Sequence, residues 1–115
     1  ATAISCLAVP SDPAPPIPPL TPYFVMRVGR HLPALPYSRP GDPAMEPAIA
    51  EAAKGARAML LGNHGPVVSG RTLDDAVWAA EELEEAARLA LMLRGLPGLR
   101  ALDAAQVDDL LATFG

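Results

Sequence analysis

The chain has 115 residues, one cysteine and a formal net charge of -4, and half of its residues are apolar. Such a length forms one domain with a modest core, and an acidic chain has no electrostatic basis for binding nucleic acid or an anionic membrane. The lone Cys6 cannot close an internal disulfide, which fits a reducing cytoplasm and a small buried apolar side chain rather than a reactive thiol.

Residues 1–9 predict a short helix or the end of one, stopped by Pro10, and they begin apolar, uncapped and without an initiator Met. That start points to a longer parent. It also lacks the basic residues of a signal peptide. Residues 11–22 are so rich in proline that they must form an extended loop. From Tyr23 to Val28 the residues Phe24, Val25, Met26 and Val28 predict a strand ending at Gly29, and residues 32–37 predict a second extended piece, limited by prolines to an edge.

Asp42 before Pro43 predicts a helix start, with Met45, Ile49 and Ala52 or Ala53 on one face and Lys54-Gly55 at the end. Thr72 with Asp75 three residues on resembles a capping box, and Leu73, Val77, Ala80, Leu83, Ala87 and Leu91 recur at helical spacing up to the terminator Gly95. Asp74 and Asp75 near the start and Arg88 and Arg94 near the end suit the helix dipole. The carboxylates of Glu81, Glu82, Glu84 and Glu85 spread round a solvated side and read as surface, not as a metal cluster. Residues 86–93 are apolar almost all round, too short to cross a bilayer, and call for packing partners on more than one side. A last helix follows a Pro-Gly linker, with Asp103 and Gln106 as a second capping box, Leu102 as a staple against Val107, and Val107, Leu110, Leu111 and Phe114 on its buried face.

Between these helices lies the stretch that carries chemistry. Residues 58–61 form the short apolar run of a buried strand, Asn63-His64-Gly65 interrupts it, and Val67-Val68 resumes a β-branched pattern. A strand, a tight polar corner and a second strand are predicted, with His64 where the backbone leaves the sheet, a common address for a metal-binding or catalytic imidazole. A histidine after an apolar run is more often a hydrogen-bonded loop or core residue. One histidine also cannot hold a catalytic zinc, which needs about three protein ligands and an open position.

The segments Met59-Leu-Leu-Gly-Asn-His-Gly-Pro-Val-Val-Ser-Gly70 and Ala76-Val-Trp-Ala-Ala-Glu-Glu-Leu-Glu-Glu85 resemble the class II aldolase and adducin family. Leu20-Thr-Pro-Tyr-Phe-Val-Met-Arg-Val-Gly29 and Pro36-Tyr-Ser-Arg-Pro-Gly-Asp42 are similar to its 3-oxo-tetronate 4-phosphate decarboxylase branch. The resemblance covers nearly the whole chain. It implies an α/β, three-layer fold with a largely antiparallel sheet and helices on both faces. The 115 residues would form the C-terminal part of one such domain, incomplete on its N-terminal side.

The resemblance further implies a zinc held by three histidines, with His64 as the third ligand and a His-x-His pair expected upstream of Ala1, and Tyr23 as proton donor. On position alone Tyr23 reads equally as a ring packed at a strand start with its hydroxyl hydrogen-bonded. His31 matches no family ligand and is expected in solvent. The implied reaction is a carbon–carbon lyase step on a phosphorylated sugar acid, decarboxylation to dihydroxyacetone phosphate through an enediolate, in a cytoplasmic homotetramer. A fuculose-phosphate type aldolase, a sugar-phosphate epimerase and a non-catalytic adducin-like interaction domain are the alternatives.

Overall fold

The computed structural model describes residues 17–30 and 32–114. The predicted helix at residues 1–9, Cys6, the first part of the proline-rich loop and His31 lie outside the described residues. The elements, in chain order, are α1 (Pro22–Arg27), β1 (Ala34–Leu35), α2 (Met45–Ala53), β2 (Ala58–Leu61), β3 (Gly65–Val68), α3 (Leu73–Leu93) and α4 (Ala104–Phe114).

The three strands form a mixed sheet in the order β1-β2-β3, as an α/β fold requires. β1 runs parallel to β2, with Ala34 opposite Leu60, while β2 and β3 form the longer, antiparallel ladder from Ala58 opposite Val68 to Leu61 opposite Gly65. Parallel neighbours need a crossover, and α2 supplies it. β1 is an edge of two residues because Pro33 and Pro36 flank it. It serves mainly as an acceptor, with Leu60 N–H donating to Pro33 C=O at 2.8 Å and Gly62 N–H to Leu35 C=O at 2.9 Å. Pro66 is tolerated because β3 is the opposite edge.

All four residues of β2 are buried. Successive side chains point to opposite faces, so the strand is covered on both. Ala58 and Leu60 join the main core with Phe24, Val25, Val28, Leu83, Ala87 and Val107, whereas Met59 and Leu61 are buried outside that cluster. The helix α2 borders β2 but contributes no buried side chain.

The predicted strand from Tyr23 to Val28 is a helix instead. Thr21 Oγ1 accepts a hydrogen bond from Phe24 N–H at 3.3 Å, and Pro22 occupies the first turn, where its missing N–H costs nothing. Phe24, Val25 and Val28 then share one buried face against α3 and α4. Cap chemistry and tertiary packing override the β propensity of Phe-Val-Met-Arg-Val. Asp42 likewise starts a turn rather than the helix itself. Its carboxylate accepts from Ala44 N–H at 2.9 Å, its C=O accepts from Met45 N–H at 3.0 Å, and Ala44 becomes the uncapped N-cap.

Both predicted capping boxes bear on real helix starts. Thr72 Oγ1 accepts from Asp75 N–H at 3.1 Å, and at α4 the exchange is reciprocal, with Gln106 N–H donating to Asp103 Oδ1 at 2.8 Å and Asp103 N–H to Gln106 Oε1 at 2.9 Å. The buried stripe of α3 is Ala79, Leu83, Ala86 and Ala87, with Ala90 and Leu91 partly buried. Its predicted first members Leu73 and Val77 are exposed, as is Phe114 on α4, because nothing among the described residues packs over those ends. Gly95 ends α3 with φ +79°, a left-handed terminator.

Two glycines fix how the pieces meet. A Cβ at Gly62 would lie 2.9 Å from Tyr37 N and 3.0 Å from Leu35 O, and one at Gly70 would lie 2.6 Å from Ala76 N. Gly62→Ala should therefore cost about 2 kcal/mol or more, the upper range of overpacking because backbone cannot rotate away, and urea unfolding would read it. Leu83 has no exposure, so Leu83→Ala should cost about 2–5 kcal/mol, whereas Leu73→Ala, at 80 % exposure, should stay within about 0.5 kcal/mol.

Candidate metal corner

The β2–β3 hairpin delivers His64 as its sequence predicts. His64 N–H donates to Leu61 C=O at 3.0 Å and closes a four-residue turn, and Asn63 takes φ 59° at the third position. That position of a type II turn requires a positive φ, and asparagine is one of the few residues with a side chain that accept it. The corner is braced from the side by β1, since Gly62 N–H bonds Leu35 C=O and Gly62 lies against the Tyr37 backbone. His64 itself is exposed, and among the described residues no hydrogen bond or ion pair engages its ring.

An imidazole presented on a rigid turn with both nitrogens unused fits the role of one metal ligand. The described residues bring no group of three His, Cys, Asp or Glu side chains together. His64 therefore fits as one contributor to a ligand set, not as a whole site.

Tyr23 lies in the first turn of α1, not at a strand start. It is 63 % exposed, and its hydroxyl is engaged by no partner among the described residues. The far end of α1 is tied to the base of the hairpin, where Arg57 Nη1 donates to Met26 C=O at 3.1 Å. No hydrogen bond joins Tyr23 to His64 within the chain.

The glutamates of α3 behave as a solvated face. Glu85 pairs with Arg88 on the same helix. Glu82 is the exception, its carboxyl held above the usual range chiefly by desolvation, with Arg27 opposing that shift and Glu85 adding to it.

A feature absent from the sequence reading lies at the hairpin base. Arg27, Arg57 and Arg71 line a cavity of about 320 Å³ together with Ser69, Asp75 and Phe114. The three arginines come from the end of α1, the approach to β2 and the approach to α3, spacings that no periodicity rule connects. Nothing in the sequence marks the three positions as neighbours, and Arg71 even has Asp74 and Asp75 three and four residues on.

Comparison with known proteins agrees with the corner and the sheet. Residues 1–91 match the family described as the Class II Aldolase and Adducin N-terminal domain. The chain is 46% identical over 109 residues, 95% of its length, to the 3-oxo-tetronate 4-phosphate decarboxylase of Escherichia coli K12, of which it covers 50%. It is 34% identical over 86 residues to the L-fuculose phosphate aldolase of Haemophilus influenzae, a match that takes in 73% of this chain and 39% of that one. The crystal structure of YgbL from Klebsiella pneumoniae superposes with a TM-score of 0.87 at 44% identity, over 96% of this chain and 53% of the other. The chain thus spans about half the length of the curated relatives it matches most fully. A family pattern that matches residues 1–91, most of the chain, shows that this protein belongs to the class II aldolase and adducin family.

Proposed function

We propose that the chain is part of a metal-dependent carbon–carbon lyase that decarboxylates a 3-oxo-tetronate 4-phosphate, with His64 as one metal ligand and Tyr23 as proton donor. The observation that carries the reading is the exposed, unengaged His64 on its braced turn, in a chain 46% identical to proteins named for that reaction. The remaining ligands are proposed to be a histidine pair in the longer protein, and the metal to be zinc. The assembly is proposed to be a homotetramer in the cytoplasm. Among the described residues no helix is long and apolar enough to cross a membrane.

A divalent metal, when bound, supplies a Lewis acid for the oxygen on which charge develops as the carbon–carbon bond breaks. His64 contributes a ring nitrogen, and the turn closed by its own N–H fixes the backbone from which the ring projects. Departing carbon dioxide leaves its bonding electron pair behind on the remaining carbon skeleton, and that carbon must then take up a proton. The Tyr23 hydroxyl can deliver one, as its single exchangeable proton is spent on no structural hydrogen bond among the described residues. Retro-aldol cleavage of a sugar phosphate develops charge in the same way. The 34% identity to a fuculose phosphate aldolase supports that second reading, and product analysis on both substrates separates them.

In the full-length protein, His64→Ala should lower bound metal and turnover together, because one of about three ligands is gone. Metal analysis beside the rate measurement decides it, and unchanged zinc with unchanged turnover would remove His64 from the ligand set. An adducin-like domain without catalysis would show neither metal nor turnover in the parent protein. Tyr23→Phe should leave substrate binding intact while turnover falls by ~10²-fold or more. A normal rate, with chemistry shown to limit turnover, would dismiss Tyr23 as the donor.

A further inference from the structure

The cavity at the hairpin base is lined by three arginines that come from separate segments. Arg27 ends α1, Arg57 precedes β2 and Arg71 precedes α3. The other cations nearby are satisfied, since Arg30 pairs with Asp108 and Lys54 with Glu51. Among the described residues, no carboxylate comes within ion-pair distance of Arg27, Arg57 or Arg71. Three like charges lining one cavity repel one another, only partly offset by Asp75 in the wall and by Glu82 near Arg27, and an anion between them reverses the sign of that interaction.

The groups are also held in place. Arg57 Nη1 donates to Met26 C=O at 3.1 Å, while Ser69 N–H and Oγ donate to Arg57 C=O at 2.8 and 3.1 Å. Most of the five guanidinium N–H donors of Arg57 remain for a ligand. Arg27 lies over the Trp78 ring with its guanidinium carbon 5.0 Å from the centroid, a cation–π contact that holds the side chain in place. Gly70 lies so close to Ala76 N and Asp75 Cβ that the backbone entering Arg71 has no latitude. One carboxylate, Asp75, shares the wall, so the lining carries a net of two positive charges. Its N–H is already spent on Thr72 Oγ1, so the arginines rather than the helix start provide the donors.

We infer that this cavity binds a phosphate group, as inorganic phosphate or as the phosphate of a small monoester. The planar guanidinium fork matches phosphate oxygens two at a time, and the two net charges match a phosphate dianion. The site does not serve the His64 corner of the same chain. The length of β2 separates them by on the order of 15 Å at ~3.3 Å per residue, whereas a four-carbon acid phosphate with bonds of ~1.5 Å reaches roughly 6–7 Å. The inference rests on the cavity and stands independently of the proposed lyase activity.

Calorimetric titration of the full-length protein at low ionic strength with inorganic phosphate, glycerol 3-phosphate and glycerol tests it. Saturable binding of one or both phosphates, none of glycerol, and weakening as salt is raised are expected. The tighter of the two phosphates identifies the source as the free ion or the ester. Arg71 is exposed and, among the described residues, its side chain makes no hydrogen bond or ion pair, so Arg71→Gln should keep the melting temperature and weaken binding roughly tenfold, the scale of one charge-assisted hydrogen bond. Arg27→Gln should act in the same direction, and His64→Ala should leave phosphate binding unchanged. Absence of saturable binding, or binding lost in His64→Ala but kept in both arginine variants, overturns the inference.

Discussion

The contact between Gly62 and the backbone of residues 35–37 is the constraint on which the rest of this structure depends. With no side chain at Gly62, the exit of β1 can lie against the turn of the hairpin and accept its N–H, so β1, β2 and the corner become one unit. The same contact sets where β1 ends and therefore where α2 must start its crossover. It also holds the turn that presents His64. A histidine on a freely hinged loop would lose entropy on meeting a metal, whereas one on a braced turn has lost it already on folding.

Around that unit the core is built from few large side chains and many alanines. Ala79, Ala86 and Ala87 on α3 let the helix approach the sheet closely, with Leu83 filling the centre beside Phe24 and Leu60. The alanines lose no side-chain entropy on burial and favour the helix intrinsically. The outer ends of α3 are different, for Leu73, Val77 and Trp78 at one end and Met92 at the other remain exposed. Trp78 is half-covered by Arg27, which shields part of its ring while keeping the charge in water.

Charge is distributed unevenly over the two ends of the hairpin. At the corner end, the one titratable side chain on the turn is His64, an imidazole of the kind that ligates metals. At the base, three arginines gather with a single aspartate. Elsewhere some cations pair with near neighbours in sequence or with α4, as Lys54 does with Glu51, Arg88 with Glu85 and Arg30 with Asp108. What singles out the base is that three cations from separate segments line one cavity.

Local chemistry in the sequence was enough to define the hairpin, its corner, the two capping boxes and the terminator Gly95. The corner, the caps and the terminator rest on interactions between residues at most four or five apart, and the hairpin pairs two strands joined by a three-residue connection, so composition and spacing carry them directly. α1 was misread as a strand because Phe-Val-Met-Arg-Val favours β structure locally, although Thr21-Pro22 was a helix-start signal in plain view; the packing of Phe24, Val25 and Val28 on α3 and α4 decided it. The face of α3 was read correctly in its middle and wrongly at its first turn, since periodicity finds apolar residues but not what covers them. The gathering of Arg27, Arg57 and Arg71, and the fit of Gly62 against residues 35–37, were decided by the tertiary structure alone. Both join segments far apart in sequence, and only the order of strands and the crossing of helices sets which distant residues become neighbours.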